Sequence, residues 1–267
     1  MLIDPATIRN SWTRFTRDAI DFIYARSCVR CRDPLPHPEE SFRAGPGAAD
    51  LRFCPGCYEL LSCAVEQTCQ RCGAPVGPYL DTTHGCRYCR RDRFQFDRVF
   101  ALGVYEHALR ECCVRAKQSS EEPLAAALTE LLADAHAEEW AQLAIDLIVP
   151  VPHHWSQRLS QGELPPVTMC TVLARRLKVP AALHILAKPR RTPQQKSLTP
   201  KRRRANLRGA FRTAGGARLD GLAVLLTDDI LTTGTTADRA AQVLKAAGAK
   251  QVFVAVLARG LGRPHLC

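Results

Sequence analysis

No run of about eighteen consecutive apolar residues occurs in the chain, so the sequence offers no candidate membrane-spanning helix. Its opening stretch, MLIDPATIRNSWTRF, has interspersed charges and no apolar core of the kind a secretory signal peptide needs; the expected location is cytoplasmic. Two familiar phosphate-binding signatures are missing. There is no Gly-Lys-Ser/Thr of a Walker loop and no Gly-x-Gly-x-x-Gly of a dinucleotide fold. Residues 28–92 are poor in large apolar side chains and cannot build a sizeable core alone. Residues 187–212 contain no acid, and Phe211 is their one aromatic residue.

What is present is as uneven as what is missing. The 267 residues have room for one large domain or two smaller ones. The net charge of +11 is concentrated: ten Lys and Arg fall within residues 187–212, and outside them 27 bases meet 26 acids. A localised basic segment implies a localised anionic partner, either phosphate groups or nucleic acid.

Eight of the 13 cysteines form four Cys-x-x-Cys pairs: Cys28/Cys31, Cys54/Cys57, Cys69/Cys72 and Cys86/Cys89. In a reducing compartment this spacing argues for metal rather than disulfides. Each pair puts two thiolates on one side of a knuckle, and two knuckles make a tetrahedral four-cysteine site for Zn2+. Four knuckles make two such sites, whose metal supplies folding energy that the thin core cannot. Sequential pairing and interleaved pairing both satisfy the spacing. Cys63 reads as a free thiol, and Cys112, Cys113, Cys170 and Cys267 as core or incidental. His37 and His84 lie near the knuckles as alternative ligands.

The most informative stretch runs from Val224 to Thr236, VLLTDDILTTGTT. Leu222 to Leu226 has the length and composition of a buried strand. Asp228 and Asp229 follow, and Thr232-Thr233-Gly234-Thr235-Thr236 leads into an amphipathic helix expected over Ala237–Ala247 and ended by Gly248. A second β-rich run spans Val252–Leu257. At the C-terminal edge of a parallel strand, a turn into a helix gathers unpartnered N–H groups, which together with the helix dipole bind phosphate. Gly234 admits close backbone approach, and the threonines add hydroxyl donors. Two carboxylates just ahead of such a cradle suit a ribose diol or Mg2+ beside a 5′-phosphate.

This order of strand, acid pair and Thr-Thr-Gly-x-Thr turn resembles the phosphoribosyl pyrophosphate (PRPP) motif of type I phosphoribosyltransferases. The resemblance implies that Asp228 and Asp229 hold the ribose hydroxyls, that Thr232, Thr233, Gly234, Thr235 and Thr236 cradle the 5′-phosphate, and that Mg2+ accompanies PRPP.

Along the rest of the chain, Ile8, Trp12, Phe15, Ala19, Phe22 and Ile23 mark an amphipathic helix within residues 1–27, packing on the body of the protein or contacting a membrane or partner. Residues 28–92 are expected to form the double zinc ribbon. Residues 93–267 are expected to form an α/β domain, for which the resemblance implies the type I phosphoribosyltransferase fold with its central parallel sheet. In that domain strands are expected over Phe94–Tyr105, Leu147–Val151 and Ala182–Leu186, and helices over Leu109–Lys117, Pro123–Leu143 and Pro166–Lys178. Pro150-Val151-Pro152 fixes a turn before His153, His154 and Arg158. The phosphoribosyltransferase resemblance implies a pyrophosphate loop after this strand, which makes Arg158 a candidate for pyrophosphate. The basic stretch, with one short helix expected around Lys201–Leu207, reads as a hood over a polyanionic substrate or as a nucleic-acid contact.

Taken whole, the chain resembles the ComF family. The resemblance rests on the paired zinc knuckles, FDRVFALGVYE, LIVPVP, RTPQQKSLTPKRRRANLRGAF and the PRPP-type motif. It implies a phosphoribosyltransferase-type protein linked to DNA uptake and utilisation (competence). Arg191, Gln195, Leu198, Arg203, Asn206 and Phe211 fall on the family's typical positions, and Lys117 on a lysine after its first helix. One segment departs. Where the family carries Arg-Gly-Phe-Asn-Gln, this chain reads Gln161-Gly162-Glu163-Leu164-Pro165, which puts turnover in doubt. Two readings follow: an enzyme displacing pyrophosphate from PRPP-Mg2+, or a non-catalytic factor that contacts single-stranded DNA or a DNA-uptake helicase.

Overall fold

The computed structural model describes residues 26–35, 52–62, 67–152, 164–189 and 209–261. The expected N-terminal helix, His37, Cys63, Cys267 and the expected helix at 201–207 lie outside the described residues. The chain divides into two units, residues 1–60 and 61–267. Among the described residues no helix is long and apolar enough to cross a membrane.

In the first unit, Cys28 N–H donates to Asp33 O at 2.8 Å and Arg32 N–H to Cys28 O at 2.8 Å. An antiparallel bridge between Ser27 and Pro34 closes this knuckle. Helix α1, Pro55–Ser62, begins one residue after Cys54 and carries Cys57. The second unit repeats the first knuckle. Cys69 N–H donates to Ala74 O at 2.8 Å, Gly73 N–H donates to Cys69 O at 2.7 Å, and a bridge joins Thr68 to Pro75. Both copies read Cys-x-Arg-Cys-x-x-Pro. The residue after the second cysteine has a left-handed backbone in each, Arg32 at φ 71° and Gly73 at φ 66°. A Cβ on Gly73 would lie 2.9 Å from Val99 Cγ1, so glycine lets this knuckle lie against the neighbouring strand.

That strand is β1, Arg98–Val104, at one edge of a parallel sheet with β2 (Leu147–Pro150), β5 (Ala223–Leu231) and β6 (Gln251–Arg259), in the order β1-β6-β5-β2. Short strands β3 (Leu186–Ala187) and β4 (Arg212–Thr213) pair antiparallel beside it. The connections hold helices α2 (His107–Arg115), α3 (Glu122–Ala135), α4 (Ala137–Ala141), α5 (Pro165–Leu177) and α6 (Thr235–Ala246).

The strands are apolar almost without interruption because both sheet faces are covered. On one face Val99, Val149, Val224, Leu226, Val252, Val254 and Val256 meet Ala237, Ala240, Ala241 and Leu244 of α6. The alanines let that helix approach closely, and Leu244 fills the remaining gap; Leu244→Ala would cost about 2–5 kcal/mol. On the other face α3 packs on β1 and β6, and α5 on β2 and β5. There Phe100 meets Trp140 and Phe253 edge-on, and Cys170 Sγ reaches Ile148 O at 3.5 Å. Prolines open α5, and Lys178 ends it in a left-handed conformation at φ 56°.

Four expected elements differ from the sequence reading. The helix expected over Pro123–Leu143 breaks at His136, whose ring lies against Phe100 and whose Nε2 is 3.1 Å from Ala101 O. Strand β1 begins at Arg98, not Phe94: the rings of Phe94 and Phe96 stack on each other at 4.4 Å, and the Asp97 carboxylate accepts Val252 N–H at 2.8 Å. Of the strand expected at Ala182–Leu186 only its last residue is in a strand, Leu186–Ala187, while Ala181 bridges to Ile148. The strand expected to stop at Leu226 continues to Leu231, because β6 pairs with it along its whole length. The acid pair therefore lies within β5.

Candidate functional site

The site forms at the C-terminal end of β5. Thr227 is fully buried and anchors this end through Oγ1, which donates to Pro166 O at 2.7 Å. Asp228 is 7 % exposed, and its Oδ1 accepts Asp229 N–H at 3.0 Å. Asp229 Oδ1 accepts Ile230 N–H at 2.8 Å, and its Oδ2 lies 2.7 Å from Lys117 Nζ, just beyond α2. Burial, and then the adjacent Asp229 charge, push the Asp228 carboxyl well above the usual carboxylate range. Burial opposes the Lys117 charge, but Asp229 beside it and Asp228 behind outweigh this and raise its pKa. Lys188, one residue beyond β3, has its ammonium 5.8 Å above the Phe211 ring. Burial lowers its pKa, and attraction by Asp228 offsets part of that. Two lysines from separate elements thus face the acid pair.

The turn that follows leads straight into α6. Gly234 is the N-cap of α6 at φ 71°, and no side chain caps the helix. Helix α6 thus presents the positive end of its dipole at this turn. Thr233 and Thr235 link their hydroxyls at 2.9 Å, and Asp238 N–H donates to Gly234 O at 2.8 Å. A Cβ on Gly234 would meet Phe94 Cε1 at 3.0 Å, so the stacked Phe94–Phe96 pair backs the turn. Asp228 and residues 230–237 enclose only about 20 Å3, so the cradle is a surface concavity rather than a closed pocket. A larger cleft of about 360 Å3 opens beside it, between Arg91–Gln95 and the first turns of α6.

The cysteines gather into Cys28, Cys31, Cys54, Cys57 and into Cys69, Cys72, Cys86, Cys89, which is the sequential pairing. Within each group the Sγ atoms lie within 4.8 Å of one another. Tetrahedral zinc with bonds of about 2.3 Å spaces its sulfurs about 3.8 Å apart. The contacts fit: 3.6 Å for Cys31–Cys54 and Cys72–Cys86, and 3.8 Å for Cys69–Cys89. Arg30 Nη1 donates toward Cys57 Sγ at 3.4 Å, a cation beside a group that must bear negative charge to bind metal. The second group is fully enclosed, whereas Cys31 of the first is exposed. The eight cysteines leave His84 outside both groups. Cys112, Cys113 and Cys170 are buried, and burial drives the Cys113 and Cys170 thiols up to about 12.

The structure thus brings together Asp228, Asp229 and Thr232–Thr236, with Lys117 from α2's far end. The candidates Arg158, Arg191, Gln195, Arg203 and Asn206, and His153 and His154, lie outside the described residues. Sequence reasoning did not single out Lys188; its place just ahead of the acid-free stretch was the available signal.

The phosphoribosyl transferase domain family matches residues 167–265, which contain β5, the Gly234 turn, α6 and β6. The second unit accordingly has the α/β phosphoribosyltransferase fold. The chain is 28 % identical to Competence protein F of Haemophilus influenzae over 240 residues, 87 % of this chain and 96 % of that protein. It is 31 % identical to the DNA utilization protein YhgH of Salmonella typhi over 217 residues, 77 % of this chain and 91 % of that protein. With YhgH of Escherichia coli K12 the identity is 30 % over 203 residues, covering 72 % and 84 %. Similarity at about 30 % identity over most of the chain, together with the phosphoribosyl transferase domain and the two four-cysteine groups, places this chain in the ComF (Competence protein F) family.

Proposed function

We propose that this protein binds PRPP with Mg2+ at the end of β5, holds structural Zn2+ in both cysteine groups, and serves DNA uptake or utilisation. One observation carries the ligand reading. A carboxylate pair and an uncapped helix N-terminus stand on the two sides of the left-handed Gly234 turn. Asp228 and Asp229 accept hydrogen bonds from the ribose hydroxyls, and the N–H groups and hydroxyls of Thr232–Thr236 hold the 5′-phosphate. Bound Mg2+ supplies charge neutralisation for the pyrophosphate oxygens. For the diol to reach Asp229, Lys117 gives up its ion pair and becomes available to an anionic ligand oxygen. Arg158, Arg191, Gln195, Arg203 and Asn206 are proposed contacts of the pyrophosphate. The names of the relatives support the cellular role.

A second reading keeps the fold and drops the turnover, with the basic stretch contacting single-stranded DNA or a helicase. It is favoured by Gln161–Pro165, which lacks the Arg, Asn and Gln of the family's usual run.

The test is a calorimetric titration of PRPP with Mg2+ into the zinc-loaded wild type and into Asp228→Asn/Asp229→Asn. Saturable binding in the wild type that is lost in the variant is the expected result. Heat-silent mixing with a folded wild type would rule the ligand out, and would leave steeply salt-dependent DNA binding as the measurement favouring the second reading.

A further inference from the structure

The last residue of β6, Arg259, is 4 % exposed. Its guanidinium is spent on backbone carbonyls. Nε donates to Cys72 O at 2.7 Å, and Nη1 donates to Leu231 O at 3.0 Å, to Thr232 O at 2.6 Å and to Gly260 O. Among the described residues no carboxylate forms an ion pair with it. A buried cation held only by dipoles is costly unless negative charge lies nearby. The second cysteine group supplies such charge, since four thiolates around Zn2+ leave a net −2. Cys72 is one of those ligands, and Thr232 opens the phosphate turn. One planar fork therefore spans a metal-ligand backbone and the start of the phosphate cradle.

The neighbourhood fixes this span. Leu231 pairs in register with Arg259, and Gly260 N–H donates to Leu231 O at 2.8 Å. A Cβ on Gly260 would stand 3.0 Å from Thr232 Cγ2, so the chain beyond Arg259 is close against the turn. On the metal side, Val99 N–H donates to Gln70 O at 3.1 Å, which ties the knuckle to β1. A shift of the Cys72 carbonyl would move the guanidinium, and the guanidinium cannot move without releasing Leu231 and Thr232.

We infer that Arg259 is a positioning residue that links metal occupancy of the Cys69–Cys72–Cys86–Cys89 group to the geometry of the Thr232–Thr236 turn. The metal-bound knuckle holds Cys72 O, Arg259 holds the turn's leading carbonyls, and the turn's N–H groups are preset for phosphate. The coupling to ligand rests on the proposed PRPP site; the coupling of metal to turn does not.

The deciding experiment is hydrogen exchange on the full zinc-loaded chain, followed for the peptide covering Leu231–Thr236, in the wild type and in Arg259→Lys. Lysine keeps the charge but lacks the fork to span both sets of carbonyls. Exchange in that peptide is expected to speed up about tenfold or more, as the bonds that hold the turn's carbonyls are lost. Peptides from α3 stay protected, which reports an intact core. Withdrawing metal from the wild type is expected to speed the same peptide, so the link is read even if the variant folds poorly. Unchanged exchange in metal-loaded Arg259→Lys, or in metal-depleted wild type, would overturn the inference. With PRPP-Mg2+ as probe, the variant binds about tenfold more weakly, and ligand tightens zinc binding in the wild type alone, because coupling between the two affinities is reciprocal. If wild type fails to bind PRPP, the proposed function falls, while the exchange measurement still decides the role of Arg259.

Discussion

Lys117 Nζ lies 2.7 Å from Asp229 Oδ2, so the carboxylate assigned to a ribose hydroxyl already has a cationic partner. The ligand must compete with that ammonium. Asp228, beside it, is buried and meets no lysine at ion-pair distance among the described residues. The two acids are therefore unequal: one is paired with a lysine ammonium, and burial pushes the carboxyl of the other above the usual carboxylate range.

Lys117→Met is expected to destabilise the ligand-free protein by less than about 1 kcal/mol, since the lysine side chain is 41 % exposed and water screens the pair. The folded pKa of Lys117 is raised, so its contribution is complete below about pH 10, the unfolded value, and disappears as pH climbs through the folded one. Urea unfolding at pH 8 should separate the two proteins, and at strongly alkaline pH the curves should converge. Coincident curves at pH 8 would remove the pair from any stabilising role.

Asp228→Asn should stabilise the ligand-free fold while abolishing PRPP binding. The Asp228 carboxyl is raised in the folded state, so its stabilising form is the protonated one, complete below about pH 4 and lost as pH rises through the folded value. Asparagine imitates that form and can still accept Asp229 N–H. The gain expected at pH 7 is on the order of 1 kcal/mol, a common size for relief at a functional site. Thermal melts at pH 4 and pH 7 check it: the variant's advantage should grow with pH, and an advantage that shrinks would contradict the assignment.

Gly234→Ala should cost about 1–3 kcal/mol, through its left-handed backbone at φ 71° and the 3.0 Å approach of Phe94. Phe94→Leu/Gly234→Ala should recover only the steric share of that loss. Full recovery in the double variant would mean that the backbone conformation contributes nothing.

The two metal groups should empty at different rates. Cys31 is exposed and Cys54 partly so, whereas Cys69, Cys72, Cys86 and Cys89 are each at most 2 % exposed. Zinc release to a coloured chelator is expected in two phases, with Cys31→Ser removing the fast one. A single phase unaffected by that substitution would show that enclosure does not govern release.

The acid-pair turn was legible because its chemistry and its backbone needs coincide in adjacent residues: strand, two acids, a glycine with positive φ, helix. The knuckles were legible as pairs, but spacing left their partnership open; only Sγ distances separate sequential from interleaved grouping. What sequence could not reach were contacts between distant segments. Lys117 meets Asp229 across more than a hundred residues, and Arg259 reaches Cys72 across 187. Local pattern also misjudged the helix after Pro123, because the interruption at His136 comes from Phe100 and Ala101, not from any residue that ends helices by itself.

The two knuckles share the pattern Cys-x-Arg-Cys-x-x-Pro, yet they differ in their freedom to vary. Arg32 shows that this turn accepts a side chain at the position after the second cysteine, left-handed backbone included. Glycine at 73 is thus demanded by its neighbour Val99 rather than by the metal knuckle. Mutational tolerance should therefore split the copies: unbranched substitutions at position 32 should be largely silent for zinc content, while at position 73 most substitutions should fail, and a smaller residue at 99 should relieve the steric share of the cost of alanine.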